Sequence, residues 1–271
     1  MILLEILIPV LIFVILAWLM VEYSLFVPPV KGLPILMYHK VSEHQTDALT
    51  IGTESLNLHF TYLKEKGYNT IFFSEFRKIL LEGKTLPSKT VILTFDDAYQ
   101  NFRELVLPML KRFGFKACVF VPVAYMGKTN SWDKGNDRIM SPEELNQISD
   151  SGLVEIGLHS FLHRSYGDLA LSDMEEDLKN CFSTLSFYHI PYSRVLAYPY
   201  GGYPKKDPSL KSQMSELFKT MNLDFALRIG NRINHLPIQK PYEMKRIDIK
   251  GTDPFFIFRI KLKKGRAKLF A

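Results

Sequence analysis

The sequence predicts an α/β fold, a parallel sheet closed into a distorted or incomplete (β/α) barrel of about seven strands, preceded by one transmembrane helix. Three observations carry this. Short β-prone runs alternate with amphipathic helical stretches six or seven times, as parallel strands joined by crossover helices do. Val91-Ile92-Leu93 has no polar interruption, as in strands covered on both faces. Two of the runs end in chemistry-bearing groups, Asp96-Asp97 after Phe95 and His159 with His163 after Leu158. In α/β folds such groups collect at the C-terminal ends of strands. Eight clean units are not visible, so a regular eightfold barrel is not expected.

The chain has 271 residues, 47% hydrophobic and 23% charged, enough for one catalytic domain and an anchor. Residues 1–27 read as a single-pass transmembrane anchor. Ile6 to Val21 is uninterrupted apolar sequence, and about 20 such residues make roughly 30 Å of helix, the thickness of a bilayer core. Glu5 and Glu22 fall near the two interfaces, with Trp18 and Tyr23 as interfacial aromatics, and Pro9 is tolerated in a spanning helix. A cleaved signal peptide lacks support, since there is no basic n-region and no small-x-small cleavage site. Lys31 and Lys40 follow the segment, which by charge alone points the domain toward the cytoplasm.

Residues 28–33, opened by Pro28-Pro29, read as a linker, 34–257 as the catalytic domain and 258–271 as a basic tail. Leu33 to Tyr38 is the first strand and ends at His39. Asn57 to Lys66 is a helix stopped by Gly67. Thr70 to Phe73 is a short strand, and Ser74 caps the helix carrying Phe76, Ile79 and Leu80. The strand at Val91 leads to a helix through Phe102 and Phe113 that Pro108 bends or restarts. Lys116 to Val121 is a strand, and the loop Met126 to Ile139 carries Trp132 toward a cleft. Ser141-Pro142-Glu143-Glu144 has the form of a capping box. Val154 to Leu158 is a strand, and Ser172 opens a helix to Phe187. The strand Val195 to Tyr198 precedes Pro199-Tyr200-Gly201-Gly202. Pro208 to Met221 is helical, and Asp224 to Arg228 and Met244 to Ile249 are the last strands.

The net charge of +6 gathers at the C-terminus, where Arg259, Lys261, Lys263, Lys264, Arg266 and Lys268 alternate with apolar residues. A solvated tail, or a contact with anionic lipid headgroups or a lipid-linked phosphate, accounts for it. No nucleic-acid recognition motif accompanies the charge. Cys118 and Cys181 lie in apolar runs, and two cysteines imply no disulfide framework.

His159 and His163 are spaced i, i+4, which places both imidazoles on one side of a helical turn. With one carboxylate they form a three-donor set suited to a catalytic metal with open positions. Either aspartate can complete the set, leaving the other to accept a proton from water.

Thr94-Phe95-Asp96-Asp97, His159-Ser160-Phe161-Leu162-His163 and Tyr198-Pro199-Tyr200-Gly201 resemble, in order and spacing, the first three motifs of the polysaccharide deacetylases, the NodB-homology domain of carbohydrate esterase family 4. Pro34-Ile35-Leu36-Met37-Tyr38-His39 also resembles members acting on poly-N-acetylglucosamine. The resemblance covers roughly 33 to 260. It implies a distorted barrel of about seven strands, Asp96 as general base and Asp97, His159 and His163 as ligands of a divalent ion. Zinc fits, and nickel, cobalt and iron are alternatives. It further implies the Tyr200 N–H as oxyanion donor, Tyr198 and Pro199 at the substrate, and hydrolysis of the amide of an N-acetylated amino sugar; Trp132, from its place in the loop, is a further substrate candidate. The expected setting is a cell-envelope, capsule or exopolysaccharide glycan, on the extracytoplasmic side of the membrane and near glycan synthesis or export machinery.

Two positions depart from the family pattern. The arginine that many members carry two residues before Pro199-Tyr200 is Ala197 here, and Arg246 or Arg194 are its candidate replacements. The late motif histidine is missing, and His39, ending a strand in the same manner, takes its place as acid or substrate contact. His44, His59 and His189 read as surface or packing residues. Tyr125 and Tyr203 join Trp132 as aromatic surface candidates. Two other readings stand beside the de-N-acetylase: a deacylase of a lipid-linked sugar, and an inactive glycan-binding relative.

Overall fold

The computed structural model describes residues 2–22, 28–133 and 135–268, and within the first stretch the side chains of 7–20. Helix α1 spans Ile2–Glu22. Strand β1 (Ile35–Tyr38), β2 (Lys40–Ser42) and β3 (Thr50–Gly52) precede α2 (Thr53–Glu65), β4 (Asn69–Thr70) and α3 (Phe73–Leu81). Then come β5 (Thr90–Phe95), α4 (Leu107–Phe113), β6 (Ala117–Val121), α5 (Pro142–Asp150), β7 (Val154–Leu158) and α6 (Leu171–Phe187). The last elements are β8 (Val195–Ala197), α7 (Pro208–Thr220), β9 (Phe225–Ile229), β10 (Met244–Asp248) and α8 (Phe255–Lys264).

Seven parallel strands close a barrel in the order β1-β10-β9-β8-β7-β6-β5, with β5 pairing back to β1. Strand β4 adds beside the start of β5, and β2 and β3 form a separate parallel pair. The alternation of side chains along each strand sorts the core into two. Ile35, Ile92, Cys118, Phe120, Val195 and Leu227 fill the barrel, while Leu36, Leu93, Val119, Ile156 and Ile247 pack against the surrounding helices. Phe73 and Phe76 of α3 join the inner cluster. The Glu155 carboxylate secures that helix start by accepting the Phe73 N–H at 2.9 Å and the Ser74 N–H at 3.1 Å.

Several expectations shift. The strand read at Thr70 to Phe73 is only Asn69–Thr70, because Phe73 already begins α3. The N-cap of α6 is Ala170 rather than Ser172. Ahead of α4 the helix widens into a π-type turn over Phe102–Val106, and Pro108 sits in the first turn that follows, where its missing N–H leaves no bond unmade.

The C-terminal stretch is not a loose tail. Alternating charge hid a helix whose Ile257, Phe258, Lys261 and Leu262 are buried, the i, i+4 spacing of a packed face. Phe258 stacks on the buried His59 at 3.7 Å. The linker at 28–33 is fastened as well, with the Val30 N–H donating to Lys263 O at 2.9 Å and Leu33 paired both ways with Asn234.

The expected transmembrane anchor is not supported. Residues 7–20 of α1 expose Leu7, Leu11, Phe13 and Trp18, yet among the described residues no helix is long and apolar enough to cross a membrane. Tyr23 and 25–27, read as part of the anchor, lie outside the described residues.

Candidate active site

The barrel's inward alternation continues past the strand ends, and this brings the motif residues together. In β5, Ile92, Thr94 and then Asp96 point inward; in β7, Gly157 and then His159 do. Tyr38 sits opposite Phe95 in the β1–β5 register, so the next residues, His39 and Asp96, meet, with His39 Nε2 3.9 Å from Asp96 Oδ2. A cavity of about 220 Å³ opens there, lined by His39, Asp96, Asp97, Trp132, His159 and His163.

Asp97, His159 and His163 each direct one donor atom into a space where all three lie within 4.8 Å of one another, and all three are buried. Asp97 Oδ1 is 3.1 Å from His163 Nε2 and 3.5 Å from His159 Nε2. It is buried and accepts no hydrogen bond among the described residues, an unmet acceptor that a protein interior rarely leaves. His159 Nδ1 lies 2.7 Å from the Ala197 carbonyl. A carbonyl only accepts, so Nδ1 carries the proton and Nε2 presents its lone pair to the cluster. Burial pulls the His159 imidazole down to about 4, so it is neutral at pH 7. For Asp97 burial pushes upward, but the neighbouring imidazoles, His163 first and then His159 and His39, outweigh it and hold the carboxyl well below the usual range. The residues fit a divalent cation: two imidazoles, one carboxylate and an orphaned oxygen.

The i, i+4 spacing of the histidines is not that of a helical turn. Residues 159–163 form a loop in which Ser160 (φ 63°) and His163 (φ 54°) are left-handed, a strained conformation for non-glycine residues. Its neighbours enforce it. Val123 N–H and Ala124 N–H donate to the carbonyls of Ser160 and Phe161, and Ser160 Oγ accepts the Arg164 N–H. From α6, the buried Asp177 accepts the Phe161 N–H at 2.9 Å and the Tyr166 hydroxyl at 2.7 Å. Asp177 stands sixteen positions after Phe161, on another element, and only its place amid an apolar helix face marks it. Asp177→Ala is expected to loosen the loop and weaken zinc affinity by roughly tenfold or more, read by competition with a chelating dye, with Asp177→Asn recovering part of it. Unchanged affinity in the alanine variant would show that the loop holds its form without this carboxylate.

Asp96 is gripped by an arginine. Arg246 of β10 is 1% exposed, and its Nη1 and Nη2 donate to Asp96 Oδ1 at 2.5 Å and Oδ2 at 2.7 Å. Its guanidinium lies over the Phe120 ring at 5.4 Å. Gly157 makes room for that ring, since a Cβ there would sit 2.5 Å from it. Burial pushes the Asp96 carboxyl up, while the Arg246 guanidinium, aided by His159 and His39, outweighs burial and holds it below the usual value. Of the two candidate arginines, Arg246 reaches the site; Arg194 donates to the Met221 carbonyl instead.

Trp132 stacks on His163 at 4.1 Å and 17°, and Lys40 ties its loop down through Asp133 at 3.0 Å and Asp137 at 2.8 Å. Tyr200, left-handed at φ 58°, is exposed, with its hydroxyl 3.2 Å from His163 Nδ1. Tyr198 borders the cavity, but its buried hydroxyl turns away to the Tyr242 carbonyl at 2.9 Å. Pro199 is buried and does not line the cavity. Tyr125 packs edge-on against Trp132 at 4.8 Å, whereas Tyr203 is buried against Tyr198 rather than offered to the surface.

The polysaccharide deacetylase family model matches residues 83–214, which include both the aspartate pair and the histidine loop. Poly-β-1,6-N-acetyl-D-glucosamine N-deacetylase of Escherichia coli strain K12 is 31% identical over 143 residues, 49% of this chain and 21% of that one. The Staphylococcus epidermidis protein of the same name is 28% identical over 52% of this chain and 50% of its own. The Bacillus subtilis protein YxkH is 26% identical over 69% of this chain and 61% of its own. The chain thus spans less than two thirds of these relatives. Among solved structures, IcaB from Ammonifex degensii has the same fold, with a TM-score of 0.72 at 21% identity over 87% of this chain and 98% of that one. The Streptococcus pyogenes deacetylase PplD has a TM-score of 0.70 at 19% identity over 86% of this chain and 99% of that one. The motifs at the strand ends and the matched span agree, and residues 83–214 match the polysaccharide deacetylase family.

Proposed function

We propose that this protein hydrolyses the acetamido group of N-acetylated amino-sugar residues in a cell-envelope or extracellular glycan, releasing acetate and leaving an amine. The observation that carries the reading is the juxtaposition at one barrel mouth of a cation-ready trio, Asp97, His159 and His163, with a separate carboxylate, Asp96, held by its own arginine. A binding module would need no such division between the two acids.

Asp97, His159 and His163 hold a divalent ion, zinc by donor type. Such an ion would supply Lewis acidity, polarising the amide carbonyl and making water more acidic. Asp96 accepts the proton of the attacking water as its oxygen bonds to the acetyl carbon. Arg246 keeps Asp96 ionised and fixed in direction. The Tyr200 N–H, presented by the left-handed turn after β8, donates to the oxygen on which negative charge develops. His39 gives a proton to the sugar nitrogen as the C–N bond breaks, so water and amide become acetate and amine. Trp132, stacked on His163, walls the cleft and offers an aromatic face to a sugar ring. The relatives named for poly-β-1,6-N-acetyl-D-glucosamine support this substrate class and, with it, a reaction outside the cytoplasm.

The test is acetate release from N-acetylglucosamine oligomers by zinc-loaded protein. Exhaustive chelation is expected to lower the rate by at least a hundredfold, with recovery on adding back zinc. A rate indifferent to chelation, or no acetate from any N-acetylated glycan, overturns the reading.

A further inference from the structure

Four carboxylates line the catalytic cavity, Asp96, Asp97, Asp133 and Asp248, and the proposed hydrolysis leaves one of them without a task. Asp96 is paired with Arg246, Asp97 belongs to the cation trio, and Asp133 accepts the Lys40 ammonium at 3.0 Å. The Asp248 carboxylate has no hydrogen-bond or ion-pair partner among the described residues. It is half-buried, and a charge withdrawn from bulk water is costly unless something donates to it.

The fold fixes where this group points. Along β10, Met244, Arg246 and Asp248 take the inward positions, so Asp248 stands one layer above the arginine, at the barrel mouth and beside Met37 of β1. Its backbone is pinned on both sides. The N–H donates to Asn231 Oδ1 at 2.9 Å, and the carbonyl accepts the Lys261 ammonium at 2.7 Å. Lys261, buried in α8 and matched to Asp253 at 2.5 Å, thus props the end of β10. A side chain supported in this way keeps its direction before a ligand arrives. In the strand order of the barrel, β10 lies three strands from β7 one way and four the other. Asp248 therefore stands across the mouth from the Trp132–His163 stack.

An aromatic face on one side and a fixed acceptor on the other suit a sugar, whose ring stacks while its hydroxyls donate. The two carboxylate oxygens match two neighbouring hydroxyls. In N-acetylglucosamine the C3 and C4 hydroxyls are such a pair, next to the C2 acetamido group that lies at Asp96.

We infer that Asp248 is a specificity-determining acceptor for the C3 and C4 hydroxyls of the sugar being deacetylated. The inference rests on the de-N-acetylase reading and narrows its substrate to chains whose links leave both hydroxyls free, as β-1,6 links do and β-1,4 links do not.

The test compares zinc-loaded protein on a β-1,6-linked N-acetylglucosamine oligomer and on the same oligomer built from 4-deoxy residues. For the native protein, loss of the hydroxyl is expected to lower kcat/KM at least tenfold, as when a charged acceptor is deprived of its donor. In Asp248→Ala, kcat/KM on the full oligomer should fall by a similar factor, and the gap between the two substrates should shrink to within twofold. Zinc content unchanged from the native protein reports that the variant is folded. Asp248→Asn keeps the shape and one acceptor oxygen, so its gap should be intermediate, and it carries the comparison if the alanine variant is unstable. A native protein indifferent to the 4-hydroxyl, or a gap that persists in both variants, overturns the assignment. So does an Asp248→Asn variant whose pH–rate profile shifts while the gap stays, which would make the carboxylate a partner of His39 instead. If neither oligomer yields acetate, the de-N-acetylase reading fails, and calorimetric titration of both oligomers into the zinc-loaded protein decides the acceptor. Tighter binding of the hydroxylated oligomer by the native protein, lost in Asp248→Ala, upholds it; equal heats for the two oligomers, or none, overturn it.

Discussion

Asp96→Asn is expected to lower kcat for acetate release about a thousandfold, within the hundred- to ten-thousandfold range that a positioned general base supplies. KM should stay within a few-fold, because the amide keeps the shape of the carboxylate and the trio beside it is untouched. Zinc content, read by elemental analysis, should remain one ion per chain. Asp97→Asn is the contrasting variant. Its oxygen Oδ1 faces both imidazoles and accepts no hydrogen bond among the described residues, so its loss should empty the site of zinc and abolish activity together. The pair separates base from ligand, which activity alone cannot do. If Asp96→Asn kept a tenth of the rate, or lost the ion as Asp97→Asn does, the two roles would have to be reassigned.

Much of this site was legible in the chain because its parts are local. A strand that ends in Asp96-Asp97, another that ends in His159, and a first strand that ends in His39 each announce themselves by pattern, and closure of a parallel barrel puts strand ends together whatever lies between them. What local pattern does not carry is long-range complementarity. Arg246 lies 150 residues from Asp96, in a strand whose charged residues look surface-bound, and only the closed β1–β10 pairing turns it inward. The same holds for Asp177, which acts on backbone amides of a loop it does not resemble. The histidine spacing imitates a helix, and nothing in the residue types betrays the left-handed turns at Ser160 and His163. Helix α8 was missed for a different reason: Lys261 is buried against Asp253, so a charge occupies a position that hydrophobic periodicity reserves for an apolar side chain. Tyr198 and Pro199 belong to a motif beside the cavity, but motif membership does not say which way a side chain turns.

Arg246→Met should produce the second large effect, and its sign distinguishes it from simple damage. Removing the guanidinium leaves a carboxylate with little exposure and without its strongest counter-charge, a change that costs about 3–5 kcal/mol in buried pairs. Burial is the largest influence on Asp96 and pushes its carboxyl upward; Arg246 is the largest opposing one. In the native protein the folded value lies below the unfolded one, so ionised Asp96 contributes stability above the unfolded value, and this is lost as pH falls through the folded one. With methionine in place of Arg246, burial prevails and the order of the two values inverts. Stability then declines as pH rises from the unfolded value toward the new folded one, and the acid limb of kcat/KM moves upward with it. Chemical denaturation at a series of pH values reads the first change, and the pH–rate profile of acetate release reads the second. Arg246→Met/Asp96→Asn should recover most of the stability, since no unpaired charge remains buried, while activity stays lost. An Arg246→Met variant with an unmoved acid limb would mean that Asp96 is kept ionised by something other than this arginine, and the base would then rest on His159 and His39 alone.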